Sequence, residues 1–147
     1  MIPVLLACTV SAGQGASPRG HAVLPTGRVL QVEIRTSPQE RALGYMYRDR
    51  VGEDEGMVFI MESLGFHSFW MKNCKVSLDI IWMDESWKVV HLERSLPPCQ
   101  ADFCPNYAPM QASLYALEVQ AGLAQKEGIK LGDQVLFFPP AAGQQAP

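Results

Sequence analysis

Apolar and polar residues alternate from Val29 to Arg35, the period of a strand with one buried face and with Glu33 and Arg35 on the polar side. Ser37-Pro38-Gln39-Glu40 then reads as a helix start: Ser37 caps, Pro38 suits the first helical position, and Glu40 completes a capping box. That helix is brief and ends at Gly44. A charged turn from Asp49 to Glu55 leads through Gly56 into the apolar strand Met57 to Ile60. Glu62 to Gly65 connects it to the mixed segment Phe66 to Met71. Strands follow at Leu78 to Met83 and Lys88 to Arg94, joined by the turn Asp84 to Trp87, and again at Leu114 to Ala121. Gly122 to Gly128 supplies one or two helical turns, and Leu131-Gly132-Asp133 turns into a last strand, Gln134 to Phe138. The pattern predicts a mainly β fold, a compact β-sandwich or closed β-barrel of six to seven short strands with two short helices.

Length and composition narrow this picture. At 147 residues, 48% hydrophobic and 18% charged, the chain supports one domain. It divides into a signal-like segment and flexible tether over 1–27, a β-rich domain over 28–138 and a disordered tail over 139–147. The net charge of -3 argues against nucleic-acid binding, and no apolar run approaches the roughly 20 residues that cross a bilayer. The pattern carries no oligomerisation signal, and a monomer is expected.

The N-terminus reads as an export signal. Leu5-Leu6-Ala7-Cys8 is similar to a bacterial lipobox, which makes Cys8 a lipidation candidate, and small polar residues follow to Gly20. No Lys or Arg precedes Cys8, so the basic leading region of a signal is missing from this stretch. The expected location is the periplasm or the envelope, with membrane contact only through a lipid anchor. Cys99 and Cys104, flanked by Pro97, Pro98 and Pro105, suit a short disulfide loop. A zinc site using them with His91 lacks a fourth ligand at suitable spacing. Cys74 is left as a buried thiol. No metal and no cofactor is expected.

The segment Phe69-Trp70-Met71-Lys72-Asn73-Cys74 carries the densest mixture of aromatic, charged and amide groups, and Asp79 interrupts the apolar strand after it. Together with Arg41, Gly44-Tyr45-Met46-Tyr47-Arg48, Gly56-Met57-Val58-Phe59, Leu78-Asp79-Ile80, Pro98-Cys99, Cys104-Pro105, Leu117-Glu118-Val119 and Gly128 to Asp133, it resembles the family called domain of unknown function 192. The resemblance covers about residues 28–138. That family usually has Leu at Tyr45 and Thr at Cys74, so a hydroxyl beside Asn73 is lost here. The resemblance implies a compact β-rich domain, often exported and sometimes lipid-anchored, and brings no reaction or catalytic residue with it.

Polar groups within these motifs divide into two expectations. Arg48, Lys72 and Asn73, with Trp70 as a stacking wall, are the candidates for binding a small polar or anionic ligand. Arg41, Asp79 and Glu118 are the structural candidates, with an arginine at 41 or 48 paired to a carboxylate at 79 or 118 across the sheet. His67 beside Ser68, with Asp79 as orienter, is a weak triad pattern, because adjacent strand positions face opposite ways. The leading functional reading is an envelope binding or accessory module for a small ligand or an envelope protein. One alternative is an enzyme, hydrolase-like, using Asp79 or Glu118 as acid or base, which requires a carboxylate of raised pKa in a cleft. Another is a protein-interaction domain with an apolar patch involving Trp82, Trp87 or Phe103.

Overall fold

A computed structural model describes residues 17–142. Strands β1 (Arg19–Val23) and β2 (Val29–Arg35) form a hairpin, and helix α1 (Pro38–Leu43) crosses to β3 (Glu55–Gly65). Then come β4 (Phe69–Trp70), β5 (Leu78–Met83), β6 (Val89–Leu96), β7 (Asn106–Tyr107), β8 (Ser113–Gln120), α2 (Leu123–Lys126) and β9 (Leu136–Phe138). Seven strands form one sheet in the order β6-β5-β8-β3-β2-β1-β9, and β4 pairs with β7 in a separate ribbon. Within the large sheet β2 and β3 run parallel, as a crossover through α1 requires.

Ser37 builds the expected capping box: its Oγ accepts from the Glu40 N–H at 3.2 Å, and Glu40 Oε2 accepts from the Ser37 N–H at 3.0 Å. No residue of α1 is buried, so this six-residue helix owes its position to its caps rather than to packing.

The large sheet packs on both faces, which explains why every residue of β5 is buried. On one face Ile81 and Met83 join Leu30, Val58, Leu117 and Val119 in a core closed by α2. Trp87 seals that core, stacked on Tyr115 at 3.7 Å and on Phe137 at 4.7 Å between ring centroids. On the other face Leu78, Ile80 and Trp82 pack with Met57, Phe59 and Met71. The sheet stays open and sandwich-like. Its outer strands β6 and β9 form no ladder, although a single bridge, Lys88 with Gln134, brings their starts together.

Four details differ from the sequence pattern. Arg19–Val23, placed in the tether, is a strand laddered between β2 and β9, with Ala22 fully buried. Its composition is weakly strand-like. Pairing fixes it, and Gly20 is needed because a Cβ there would lie 2.6 Å from the Phe138 carbonyl oxygen. Residues 62–65 continue β3 to Gly65, past a register shift against β8, instead of forming a connection. Phe66 to Met71 yields only the two residues of β4. Its partner β7 lies in the proline-rich loop, where flanking prolines hide the strand signal. Among the described residues nine strands therefore stand where six or seven were expected.

Cys99 and Cys104 form a disulfide, and Cys74 is a buried free thiol. The bridged loop is stitched to the Trp70–Cys74 segment: the Asn73 N–H donates to the Cys99 carbonyl at 3.0 Å, and the Cys99 N–H donates to that of Met71 at 3.1 Å. No helix among the described residues is long and apolar enough to cross a membrane. Cys8 and the rest of the lipobox-like stretch lie outside the described residues, as does the tail beyond 142.

Candidate functional site

Asp79 and Glu118 come from adjacent strands in a register that pairs Asp79 with Val119 and Ile80 with Glu118. That offset of one residue sends the two carboxylates to opposite faces of the sheet. Asp79 sits by α2 and accepts three backbone N–H groups, from Ser95 at 2.7 Å, Gly122 at 3.1 Å and Ala124 at 2.8 Å. Its partners are orphan donors at the α2 start and at the end of β6 rather than the arginine expected.

Glu118 has the opposite fate. It projects beside Ala116 into the second core, with Met57 and Ile80 as its cross-strand neighbours. The residue is only 4% exposed, and Oε2 has no hydrogen-bond partner among the described residues. Burial pushes its carboxyl from the ordinary 4.5 up to about 8, and the nearby Arg35 charge offsets only part of this. At neutral pH the group is mostly protonated.

The expected cross-sheet ion pairs do not form, because the arginines have other partners. Arg35, itself buried, donates to Glu33 at 2.6 Å and to the Met57 sulfur at 3.4 Å. Arg48 clasps the same Glu33 with two bonds, 2.5 and 2.8 Å. These contacts, led by the Arg48 hydrogen bond, hold the Glu33 carboxyl below its usual range. Arg41 donates to the carbonyls of Thr36 and Ile60 and to Glu62 at 3.2 Å, tying α1 to β3. All three lie with their carboxylate or carbonyl partners on or beside β2, α1 and β3, out of reach of Asp79 on the far face.

A cavity of about 420 Å³ opens above Glu118. Glu118, Cys74 and Gly44 contribute to its lining, along with Tyr45, Phe66, Phe69 and Trp70, Met46 and Met61, and Arg41. Gly44 has φ +43, and a Cβ there would sit 3.4 Å from the Phe59 ring and 3.7 Å from Glu118 Oε2, so glycine keeps the way to the carboxyl clear. Burial, reinforced by Glu118, pushes the Cys74 thiol up to about 11. The Tyr45 hydroxyl is also raised, first by burial and then by Glu118. Glu118, Cys74 and Tyr45 thus face one space, which Arg41, His67 and Ser68 also line.

Of the four ligand-binding candidates, only Trp70 lines this cavity. Arg48 lines a second one of about 470 Å³, with Arg19, Glu33, Asp49, Arg50 and Glu55 and with Tyr45 as the shared wall. Lys72 donates to the Ala101 carbonyl in the disulfide loop. Asn73 adopts φ 56 and donates to the Tyr47 hydroxyl at 3.0 Å. Neither lines either of these two cavities; both brace loops. Glu118, one of the structural candidates, lines the first cavity together with the polar side chains of Arg41, Tyr45, His67 and Ser68.

The triad pattern has no geometry behind it, since Asp79 lies on the opposite face and His67 Nε2 bonds the Ser63 carbonyl at 2.7 Å. Nor do the tryptophans form the imagined patch. Trp82 is fully buried, with its indole N–H on the His67 carbonyl, and Trp87 is stacked in the core, which leaves Phe103 alone in solvent. The large apolar groups left half-exposed include Leu43, Phe66 and Trp70, near the cavity.

Comparison with known proteins gives a family without a reaction. The family described as uncharacterized ACR, domain of unknown function 192, matches residues 22–137. No curated protein matches the chain. Among solved structures, a Sinorhizobium meliloti protein described as a candidate transcription regulator is similar at 25% identity. Its TM-score is 0.72, over 86% of this chain and 98% of that one. A Novosphingobium aromaticivorans protein of unknown function is similar at 27% identity and TM-score 0.72, over 88% and 99% of the two chains.

Proposed function

The chain belongs to the domain of unknown function 192 family, and from that premise we propose that it is an envelope-located binding module whose small ligand occupies the cavity above Glu118. One observation carries the reading: a buried carboxyl with an unpaired oxygen forms part of a cavity wall that also holds four aromatic and two thioether side chains, with Arg41, His67 and Ser68 beside them. An unpaired buried polar group costs about 1–3 kcal/mol, a cost that an arriving hydrogen-bond partner removes. Small-molecule sites have this composition, apolar walls with few polar groups that fix orientation. The ligand has an apolar body and one polar group. An anion, expected from Arg48 and Lys72, fits less well, since both cations are occupied and the cavity's buried polar group is a carboxyl.

Support for export comes from the Cys99–Cys104 disulfide, a bond that persists in oxidising compartments, and from the lipobox-like Leu5 to Cys8. The description of the Sinorhizobium meliloti protein as a candidate regulator suggests DNA contact, which the net charge of -3 opposes here.

The test is a small-fragment screen read by amide NMR shifts. The expected result is a set of fragments that move the amides of Gly44, Cys74 and Glu118 together. Fragments that bind only elsewhere, or none that bind, would remove the proposal. A second reading, an enzyme with Glu118 as general acid or base, is favoured by the raised carboxyl pKa. Cavity-bound fragments recovered chemically altered, by wild type and not by Glu118→Gln, would establish it.

A further inference from the structure

We infer that the ligand class of this cavity is a small organic amine bound as its ammonium, with Glu118 giving up a proton to receive it. The inference rests on the binding reading above and specifies its chemistry. Three observations carry it.

First, the unpaired Oε2 is an acceptor position, and an ionised Glu118 offers acceptors only, so its best complement is a strong donor. Second, the cations nearest the carboxyl, Arg35 and the cavity-lining Arg41, are engaged by partners of their own, so neither is paired with Glu118. Arg35 and Arg48 share Glu33, and Arg41 is held by two carbonyls and Glu62. Third, four aromatic side chains, Tyr45, Phe66, Phe69 and Trp70, line the same space as the carboxyl. Aromatic rings around a carboxylate make the environment that holds an organic cation, through the ring quadrupole and the desolvated charge pair together. An ammonium on an apolar body satisfies all three.

Binding then exchanges one buried proton for one buried cation. Glu118 releases its proton to solvent, and the carboxylate pairs with the ammonium. Other groups face Glu118 or its cavity: Arg35 from β2, Arg41 from α1, Tyr45 after α1, His67 ahead of β4 and Cys74 after it. The cross-strand neighbours Met57 and Ile80 do not titrate. The thiol and the phenol, both raised by burial, stay neutral across the range tested.

The experiment uses three probes of one shape and different charge: benzylamine, benzyl alcohol and benzoate. Each is titrated calorimetrically into the full chain at pH 6, 7 and 8, in two buffers of different ionisation enthalpy. Amide NMR locates the binding. Expected for benzylamine is an affinity that rises up to about tenfold per pH unit toward pH 8, with close to one proton released at pH 7. Benzyl alcohol should bind weakly with no pH slope, and benzoate should not bind. In Glu118→Gln, the slope and the proton release should vanish.

Benzyl alcohol or benzoate binding the cavity better than benzylamine at pH 8 would overturn the amine class while leaving the binding reading intact. A slope that persists in a folded Glu118→Gln comes from another group and overturns the proton exchange. The pH series on the unaltered chain stands even if that variant fails to fold. Failure of the binding reading itself looks different: no probe, whatever its charge, moves the Gly44 and Cys74 amides.

Discussion

Replacing Glu118 by Gln should flatten the pH dependence of stability between pH 5 and 8. The folded-state carboxyl is raised from 4.5 to about 8, so across this interval the folded protein holds a proton that the unfolded chain has released. Stability from this group is fully present below pH 4.5, falls as the pH rises, and is lost once the pH passes about 8. The limiting slope is about 1.4 kcal/mol per pH unit, which gives roughly 3–5 kcal/mol in total. Glu33, Glu40 and Glu127 have lowered values, so their contributions change only below the ordinary carboxylate range and leave this window clear. Urea unfolding at pH 5, 6, 7 and 8 reads the effect. Wild type should lose a few kcal/mol across the series, and Glu118→Gln should be comparable to it at pH 5 but more stable at pH 8. Parallel curves for the two proteins would refute the claim that Glu118 is buried without a partner.

Asp79→Ala leaves three backbone N–H groups without an acceptor and should cost at least about 3 kcal/mol by urea unfolding, at about 1–3 kcal/mol per orphaned donor. Glu33→Ala frees Arg35, which is buried, and Arg48, which is partly exposed; about 2–3 kcal/mol should be lost at pH 7, and the acid limb of the wild-type curve should weaken in the variant. The sign follows from the lowered Glu33 value: its stabilisation is present above the ordinary carboxylate range and disappears as pH falls through the folded value. Opening the Cys99–Cys104 bridge with a reductant, or by Cys99→Ser with Cys104→Ser, should cost about 2 kcal/mol from so short a loop, measured by thermal unfolding. Gly44→Ala should destabilise by about 1–2 kcal/mol and weaken cavity binding, since it combines a φ of +43 with a Cβ directed at Phe59 and Glu118.

The elements legible in the chain were those whose signal is local. Ser37 and Glu40 announce a capping box within four residues, and the structure contains it. Leu78 to Met83 has the same bounds by pattern and by structure, because an apolar run of six between turn residues has little else to become. Arg19–Val23 and Asn106–Tyr107 were hidden for the complementary reason: their own residues make weak strands, and partners distant in sequence hold them in place. The Cys99–Cys104 bridge was legible from spacing and prolines alone.

The different surroundings of the two carboxylates have a more instructive cause. A carboxylate inside an apolar strand looks the same in sequence whether it meets three N–H groups or none, and Asp79 and Glu118 present that same picture. Register decides between them. Because Ile80, not Asp79, stands opposite Glu118, one carboxylate turns to the face where α2 begins and backbone donors are in surplus. The other turns to the face where α1 contributes caps and no buried side chain, and where the ribbon and loops leave a cavity. Arginines at 41 and 48 were the natural partners on composition, yet Glu33 on β2, Glu62 on β3 and the carbonyls of Thr36 and Ile60 engage them instead. The unpaired group is thus what remains after Arg35, Arg41 and Arg48 have been engaged elsewhere, and it lies where a molecule from outside can supply the missing partner.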